Sequence, residues 1–458
     1  MFVSLKFGGT SVGSIEAMQK CLSVVKDFVD KKNQVIVTVS ALSGVTSELL
    51  KICSLCKDRT KENKPEVEDL ISLVYHRHYT FVKELFGFQK GNEFFLKSIE
   101  PRVKEVSTLA HAALISKTIP ESTVALICSF GEIASSVIFA ELLNENDLKA
   151  KQILATQIIK THDSYLYANV LYEDTKKNCQ KFLEPIIAKG VVPVVTGFIG
   201  SNLKNETTLL GRGSSDYTAS ILGAALEVDK IAIYTDVDGV MSADPRVVKD
   251  VKSFKEISIE MMSEMAYAGA KVLHPKAILP AAERHIPIFI LNTFNLNFLG
   301  TKIYLHHKSV CNKIQAIASL DNQVLINCID KNRENEIGWI AKVSDIAQKY
   351  AVPIDVCATS ETMFSFTVPE DVFSQAFIEE LNGIVETTYT KNMSKVSIIG
   401  DGVSKETEVL RVLGQEFSDN QITFEMLTIA PYAMSVAIVI QTNYVKKAVE
   451  VLHSNLVL

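Results

Sequence analysis

Short, continuous runs of apolar and β-branched residues recur through the first 300 residues, and they limit the possible fold more than any other feature of this sequence. These runs lie at 35–40, 124–129, 191–196, 231–235 and 286–291. Strands without polar alternation are typical of a parallel sheet covered on both faces. Long stretches of helical pattern separate them, at 15–30, 133–143 and 216–226, and residues 57–120 are charged and helical in pattern. This alternation predicts a doubly wound α/β domain with a mainly parallel sheet that extends to about residue 305.

The pattern changes after residue 303, where shorter predicted elements follow in an order that is written about twice. The first series has strands at 314–318, 324–329, 354–359 and 363–368 and helices at 338–350 and 372–381. The second series has strands at 396–399, 423–429 and 434–440 and helices at 405–416 and 444–452. This order predicts two ferredoxin-like βαββαβ units that share strands, and such units commonly sense ligands. We therefore expect domains at 1–305, 313–390 and 391–458.

Composition limits the classes of partner. The 458 residues are 47% hydrophobic and 22% charged, with a formal net charge of −6. A chain without an excess of basic residues is not expected to bind nucleic acid or an anionic membrane surface. No apolar run approaches the roughly 20 residues that span a bilayer. The first strand begins within two residues of Met1, so no leader peptide is expected and a cytoplasmic location is predicted.

Eight cysteines are scattered along the chain, and only Cys53 and Cys56 form a close pair. A zinc site would need a second pair of ligands at matching spacing, and the sequence contains none. The neighbours of the pair follow the pattern of one amphipathic helix. We therefore predict buried, reduced thiols here and no metal bound by protein ligands alone.

The segment 6–12 (KFGGTSV) is the most informative motif for function. Small side chains allow backbone N–H groups to approach an anion closely, and successive amides can form a concave site for phosphate oxygens. Lys6 adds a positive charge, and a helix beginning near Ser14 would direct its positive end to the same place. An ordinary strand-to-helix turn also accounts for two glycines. The motif alone therefore leaves phosphate binding and a tight turn as alternatives.

Two further polar segments follow predicted strands. Residues 40–46 (SALSGVT) come after the strand at 35–39, and Glu132 comes shortly after the run at 124–128. A doubly wound sheet binds its ligands at the carboxyl ends of its strands. A serine helix cap is the alternative for the first segment. For Glu132, a helix cap and a ligand for a cationic group both remain open.

The segment 207–219 contains the sequence GRGSSD and is the most specific of all. Arg212 offers a planar fork for a carboxylate or a phosphate, and burial of this side chain without a partner would be costly. Asp216 lies at a predicted helix start and could act as a cap. A run this rich in small and polar residues nevertheless favours a binding function.

A loop at 234–241 follows the strand at 231–234, and Asp-Pro-Arg at 244–246 comes soon after. The loop does not fit a calcium site, because its glycine is at the fourth position instead of the sixth and Val247, at the twelfth, cannot chelate. We interpret it as part of a nucleotide site, with Lys271 near the end of a later helical stretch available for phosphate. The P-loop and protein-kinase signatures are absent from the sequence.

Together, the segments 6–12, 40–46, 130–132, 211–219, 235–239, 244–246 and 269–275 occur in the order and spacing of the aspartate kinases. The chain resembles that family from end to end, particularly its monofunctional lysine-sensitive type. The resemblance implies an amino-acid kinase fold followed by two ACT units. It implies phosphorylation of the side-chain carboxylate of L-aspartate by ATP and Mg²⁺ to 4-phospho-L-aspartate, the entry to lysine, threonine, methionine and diaminopimelate synthesis. It also implies a homodimer or higher homo-oligomer formed through the ACT units.

By this resemblance, Lys6 and Asp216 are catalytic: Lys6 stabilises charge on the transferring group and Asp216 orients Lys6. The ATP-binding residues that it implies are Lys6, Gly8, Gly9, Ser11, Thr235, Asp236, Met241, Arg246 and Lys271. The aspartate-binding residues that it implies are Ser40, Ala41, Thr46, Glu132, Phe198, Arg212 and Ser215. Arg212 would bind the α-carboxylate and Glu132 the ammonium group. Ser214 and Met241 depart from the family pattern, which has a glycine and a nucleotide-contacting tyrosine at these positions.

The first ACT unit matches the lysine-binding positions of the family, so feedback inhibition by lysine is expected. The implied effector residues are Gly338, Trp339, Ile340, Ile354, Asp355, Ser360 and Glu361. An ACT pair that serves only for dimerisation is the alternative. For the whole chain, the alternatives are a kinase of glutamate, acetylglutamate, carbamate or UMP, and a non-catalytic amino-acid sensor. Glu132 with Arg212 and the ACT pair argue against carbamate and UMP. Intact Lys6 and Asp216 argue against the sensor.

Overall fold

The computed structural model describes residues 1–58, 63–211, 213–270, 273–304, 313–330, 338–431 and 433–457. By its packing, the chain divides into two compact units. Unit 1 comprises Met1–Val240 and Leu273–Leu305, and unit 2 comprises Met241–Val272 and His306–Leu458. The segment Met241–Val272, which the sequence prediction placed inside the first domain, thus groups with the carboxy-terminal residues.

The strands, in chain order, are β1 (Phe2–Phe7), β2 (Gln34–Val39), β3 (Ala150–Ile153), β4 (Lys160–Thr161), β5 (Val192–Thr196), β6 (Ile199–Asn202), β7 (Thr207–Leu209), β8 (Lys230–Thr235), β9 (Glu256–Ser258), β10 (Ile288–Asn292), β11 (Thr301–Tyr304), β12 (Lys313–Ile329), β13 (Cys357–Thr359), β14 (Met363–Pro369), β15 (Glu386–Asp401), β16 (Phe424–Ile429) and β17 (Ser435–Gln441). The helices are α1 (Gly9–Val12), α2 (Ile15–Asp30), α3 (Val45–Lys57), α4 (Lys64–Phe86), α5 (Phe88–Ser98), α6 (Glu100–Ser116), α7 (Glu121–Glu145), α8 (Tyr172–Phe182), α9 (Glu184–Ile187), α10 (Ser214–Ala225), α11 (Ile259–Tyr267), α12 (Pro275–Glu283), α13 (Trp339–Lys349), α14 (Gln375–Asn382), α15 (Thr407–Asp419) and α16 (Val445–Leu456).

Unit 1 is built on a sheet with the strand order β3-β5-β2-β1-β8-β10-β11. Neighbouring strands from β3 to β10 run parallel, and β11 is antiparallel to β10. The predicted doubly wound, mainly parallel architecture is therefore confirmed. Helix α2 has the predicted bounds, because Ser14 caps it by accepting a hydrogen bond from the Ala17 N–H at 3.2 Å. The central strand β1 ends beside β2 and β8, where such a sheet binds ligands.

The predicted strand at 124–129 is wrong, because these residues lie in α7. A helix that is buried on nearly all sides shows the same unbroken apolar run as a buried strand, so periodicity alone does not distinguish the two. Helix α7 is also, among the described residues, the one helix long and apolar enough to cross a bilayer, contrary to the expectation that no such run exists. Within the fold, 72% of its most apolar window is buried, as in the core helix of a globular domain.

Unit 2 contains a sheet with the strand order β13-β14-β12-β15-β17-β16. The long strands β12 and β15 pair with each other along their lengths, and each also pairs with a strand of one half of the sheet. One apolar core lies under α13 and α14 and a second lies under α15 and α16. Two ferredoxin-like units that share strands are therefore confirmed. The predicted boundary at 390/391 falls inside β15 and would divide a continuous strand.

Candidate active site at the carboxyl ends of the central strands

A cavity of about 760 Å³ opens in unit 1 where β1, β2 and β5 end. Nine predicted site residues line it: Lys6, Gly9, Ser40, Ala41, Thr46, Glu132, Phe198, Ser215 and Asp216. They come from five separate stretches of the chain, and the fold brings them together. The volume is in the range of a small-molecule site.

Lys6 and Asp216, which both line this cavity, form an ion pair. The Lys6 Nζ lies 2.6 Å from Asp216 Oδ1, and the two side chains are 8% and 15% exposed. Lys6 is on the central strand β1, and Asp216 is in the first turn of α10, which packs on that strand through the Ser4 hydroxyl and the Ala219 carbonyl. A buried ammonium held by one carboxylate keeps a fixed position and still has donors for an anion.

Glycines at positions 8, 9 and 13 allow the backbone after β1 to pass close to this ammonium and to the loop after β2. A Cβ atom on Gly8 would lie 3.3 Å from Lys6 Nζ, and one on Gly9 would lie 3.1 Å from the Ala41 carbonyl. A Cβ on Gly13 would lie 2.9 Å from the Ser43 Cβ. These glycines therefore allow the segment 8–13 to pack tightly against the loop after β2. Of the three, Gly9 lies at the cavity wall, whereas the Gly8 N–H donates to the Tyr234 carbonyl at 3.3 Å.

Glu132 lies in the middle of α7 and points at the loop after β2. Its Oε1 accepts a hydrogen bond from the Ala41 N–H at 3.2 Å, and the Ser135 hydroxyl donates to the Ser40 carbonyl at 2.6 Å. A Cβ on Gly131 would lie 2.6 Å from the Ala41 Cβ, so only glycine permits this close approach of helix and loop. The sequence predicted that Glu132 follows a strand, in a loop. In the structure, Glu132 instead projects from the side of a helix.

The charge on Glu132 is poorly compensated in the described part of the chain. The residue is 3% exposed, and its Oε2 is buried without a hydrogen-bond partner there. Burial raises the pKa of this carboxyl to about 8, against a smaller lowering by the Ala41 N–H. A buried carboxylate with one oxygen unsatisfied is well suited to accept a cationic group from a ligand.

A turn after β5 and the start of α10 also line the cavity. Phe198 adopts a left-handed backbone conformation, with φ of 69°. A Cβ on Gly197 would lie 2.4 Å from the Ser215 hydroxyl, so this glycine permits the contact between turn and helix. Gly211 also has a positive φ, of 92°, at the cavity wall. Arg212, the predicted carboxylate ligand, lies outside the described residues.

Other predicted nucleotide residues do not line the cavity. The Ser11 hydroxyl is buried and lies 2.7 Å from the Thr293 hydroxyl, and the Thr235 hydroxyl faces the carbonyls of its own loop and of Leu291. Asp236 is exposed. Met241 and Arg246 belong to unit 2, where Arg246 forms an ion pair with Asp244. Lys271 lies outside the described residues.

Two residues of this region were not anticipated. Arg77 on α4 donates to the Ser43 carbonyl at 2.8 Å and forms an ion pair with Glu48 at 2.7 Å, so it holds the loop after β2 in place. Tyr167 lines the cavity, and its ring lies 3.1 Å from the Cβ position of Gly211. Neither lies in a motif, because each acts through a contact with a distant segment.

The predicted effector residues lie in the first ferredoxin-like unit of unit 2. Gly338 precedes α13 with φ of 93°, Trp339 is buried, and Ile340 and Ile354 pack against the same core. The Ser360 N–H donates to the Met363 carbonyl, and Glu361 is exposed. Asp355 is already paired: its Oδ2 lies 2.6 Å from Lys395 Nζ.

Metal-ligating side chains do not gather in the part of the chain that the structure describes, where no group of three or more His, Cys, Asp or Glu could hold an ion. Cys53 and Cys56 are buried on α3, as predicted. Burial raises the pKa of the Cys56 thiol to about 11, with a smaller contribution from Cys53, so this thiol is protonated at neutral pH.

Comparison with known proteins agrees with this geometry. Residues 1–292 match the model of the Amino acid kinase family. The lysine-sensitive aspartokinase 3 of Escherichia coli (strain K12) is 29% identical over 98% of both chains. Crystal structures of E. coli aspartokinase III resemble this chain over 99% of both chains: the complex with aspartate and ADP has a TM-score of 0.85 at 27% identity, and the complex with lysine and aspartate has 0.79 at 28%.

The fold, the buried lysine–aspartate pair and the family match lead to one conclusion about class: this chain belongs to the amino acid kinase family. Within that family, the similarity of the chain to aspartokinases over nearly its whole length confirms the resemblance that its motifs indicated.

Proposed function

We propose that the protein transfers the γ-phosphoryl group of ATP to the side-chain carboxylate of L-aspartate, forming 4-phospho-L-aspartate and ADP. The observation that carries this proposal is the pairing of two features in one cavity. One is the buried Lys6–Asp216 ion pair, and the other is Glu132, whose Oε2 has no partner in the described part of the chain. The similarity to an aspartokinase in complex with aspartate and ADP supports this choice among the amino acid kinases.

The chemistry requires charge neutralisation more than proton transfer. The acceptor carboxylate is ionised at neutral pH and needs no general base. Its oxygen attacks the γ-phosphorus while the bond to the bridging oxygen breaks, and ADP leaves with the electron pair. The main obstacle is repulsion between the carboxylate and the triphosphate, which the Lys6 ammonium reduces. Asp216, 2.6 Å from that ammonium, keeps it in position.

Recognition of aspartate requires a fixed anion and a fixed cation. Glu132 supplies the anion for the substrate ammonium, and the resemblance assigns Arg212 to the α-carboxylate. The same cavity is lined by the other residues assigned to aspartate, namely Ser40, Ala41, Thr46, Phe198 and Ser215. An ammonium that pairs with Glu132 also relieves the cost of leaving its Oε2 unsatisfied.

The nucleotide assignments rest on the resemblance. They comprise Gly8, Gly9, Ser11, Thr235, Asp236, Met241, Arg246 and Lys271. We infer that Mg²⁺ is carried on the oxygens of ATP, the usual mode for this ion when few carboxylates are dedicated to it. Bound there, it would supply additional neutralisation of phosphate charge.

Regulation by lysine, assembly as a homodimer through unit 2 and a cytoplasmic location complete the proposal. Lysine regulation is supported by the similarity to a lysine-sensitive aspartokinase and to an aspartokinase in complex with lysine. Light scattering with and without lysine tests the assembly, and cell fractionation tests the location.

A panel of acceptors tests the activity. With L-aspartate and Mg-ATP, the protein should release ADP. The other product is an acyl phosphate, so it should form a hydroxamate when hydroxylamine is added. L-Glutamate, N-acetyl-L-glutamate, carbamate and UMP should be much poorer acceptors. Turnover of another panel member above that of aspartate would replace the proposed substrate. Absence of turnover with every acceptor would favour the non-catalytic sensor.

Glu132→Gln tests the role of this side chain. The variant should raise the KM for aspartate by about tenfold to a hundredfold, since it removes a charged hydrogen-bond partner. In the parent protein, KM should fall as the pH rises towards 8, because the protonated form of Glu132 cannot pair with an ammonium. The variant should lack this pH dependence. Glu141→Gln, on the same helix and partly exposed, is the matched control.

A further inference from the structure

Lys395 is a buried lysine whose ammonium group joins two distant segments of unit 2. It lies on β15, and its side chain is only 5% exposed. The Nζ atom lies 2.6 Å from Asp355 Oδ2 and donates a hydrogen bond to the Tyr267 carbonyl at 3.0 Å. Tyr267 is the last residue of α11.

This pair differs from other lysine–carboxylate pairs of unit 2. Lys391 on the same strand reaches Glu370 at 3.6 Å, and Lys349 reaches Glu380 at 2.6 Å, but both lysine side chains are about half exposed or more. Exposed ion pairs of that kind contribute little to the stability of the folded state. A buried ammonium, in contrast, must keep its partners, since an unpaired buried charge is strongly unfavourable. Loss of Asp355 as a partner is therefore more costly for Lys395 than the loss of a partner is for the two exposed lysines.

Asp355 is one of the two carboxylates among the implied effector residues, and it already holds an ammonium from the chain itself. Its side chain is 29% exposed, so a ligand can reach it from solvent. One carboxylate can accept from two ammonium groups, but a second cation beside the first adds repulsion at short range. A free amino acid must therefore displace Lys395 or bind beside it at reduced affinity.

We propose that Lys395 is a built-in competitor for Asp355 and lowers the affinity of this protein for free lysine. The inference rests on the proposed role of Asp355 in lysine binding. When the effector takes the carboxylate, the ammonium that also holds the Tyr267 carbonyl loses its counter-charge. In the sequence, the end of α11 lies four residues before Lys271, a proposed nucleotide residue.

Calorimetric titration of the full chain with L-lysine tests this competition. Lys395→Met removes the ammonium and keeps an apolar stem, and Lys395→Gln removes the charge and keeps a donor for the Tyr267 carbonyl. Both variants should bind lysine about tenfold more tightly than the parent. Lys395→Arg, which keeps the charge, should bind as the parent does. Lys391→Met is the control, because it removes an exposed lysine of the same strand.

The possible results separate this inference from the proposed activity. Equal dissociation constants for the parent and for both neutral variants would overturn the competition and leave lysine binding intact. A protein that phosphorylates aspartate but binds no lysine in any variant would overturn both the effector role of Asp355 and the competition. Tighter lysine binding by the neutral variants, in a protein that fails to phosphorylate aspartate, would support the competition and reject the kinase proposal.

Discussion

Unit 1 and unit 2 each contain a carboxylate that is assigned to an amino-acid ligand, and the fold treats the two in opposite ways. Glu132 is almost fully buried with one oxygen unsatisfied in the described residues, and burial raises its pKa to about 8. Asp355 is partly exposed and neutralised by Lys395 at 2.6 Å. Within the residues that the structure describes, Glu132 lacks a cationic partner until a ligand supplies one, whereas Asp355 already has one in Lys395. A ligand cation therefore gains a free partner at Glu132 but must compete with a lysine at Asp355.

The catalytic half of this comparison depends on Lys6. Lys6→Met should lower kcat with aspartate and ATP by at least about a hundredfold, because it removes the charge that offsets two anions in the transition state. Steady-state kinetics measure the loss, and circular dichroism checks the fold. Lys230→Met, which alters a lysine at the other end of the neighbouring strand β8, should keep kcat close to that of the parent. Near-normal kcat for the Lys6 variant would refute the assigned role.

Stability should respond to pH through Glu132. Its pKa is about 8 in the folded chain against 4.5 for an ordinary glutamate, so the folded state retains a proton that the unfolded state has lost between these values. The folded state is therefore destabilised as the pH rises through this window, by on the order of 5 kcal/mol when the titration is complete. Glu132→Gln should remove this loss.

Calorimetry at pH 5 and at pH 8.5 measures the effect. The unfolding temperature of Glu132→Gln relative to the parent should be higher at pH 8.5 than at pH 5. A difference that is the same at both values would mean that the carboxyl titrates normally, and the contrast with Asp355 would disappear.

Replacing Asp355 should lower the stability of the folded state, whereas replacing Glu132 should raise it at high pH. Asp355→Asn leaves the buried Lys395 ammonium without its counter-charge and should destabilise unit 2 by about 2 kcal/mol, less than for a fully buried pair because Asp355 is partly exposed. The unfolding temperature at pH 7 measures the loss, and Asp345→Asn, an exposed change on α13, should have little effect. Adding Lys395→Met to Asp355→Asn should restore part of the stability; without such recovery, the pair would not be coupled.

Local patterns were enough to predict much of this molecule. The alternation of strands and helices predicted the parallel sheet of unit 1, and the repeated order of short elements predicted the paired ferredoxin-like units of unit 2. The bounds of α2 matched, because its cap and its apolar face are both local features. The glycines beside Lys6 in segment 6–12 also gave a local signal, because small residues next to a lysine suggest close approach of the backbone to an anion or a tight turn.

Tertiary structure decided what depends on burial and on distant contacts. It placed α7 in the core as a helix where the apolar run predicted a strand, because both environments select the same side chains. It buried Glu132 and thereby moved its pKa, and it paired Lys395 with Asp355 and grouped Met241–Val272 with unit 2. Residue types and their spacing in the sequence thus determined which groups this chain can use. Desolvation and charge pairing, which arise only when distant segments meet, decided which of these groups still needs a ligand.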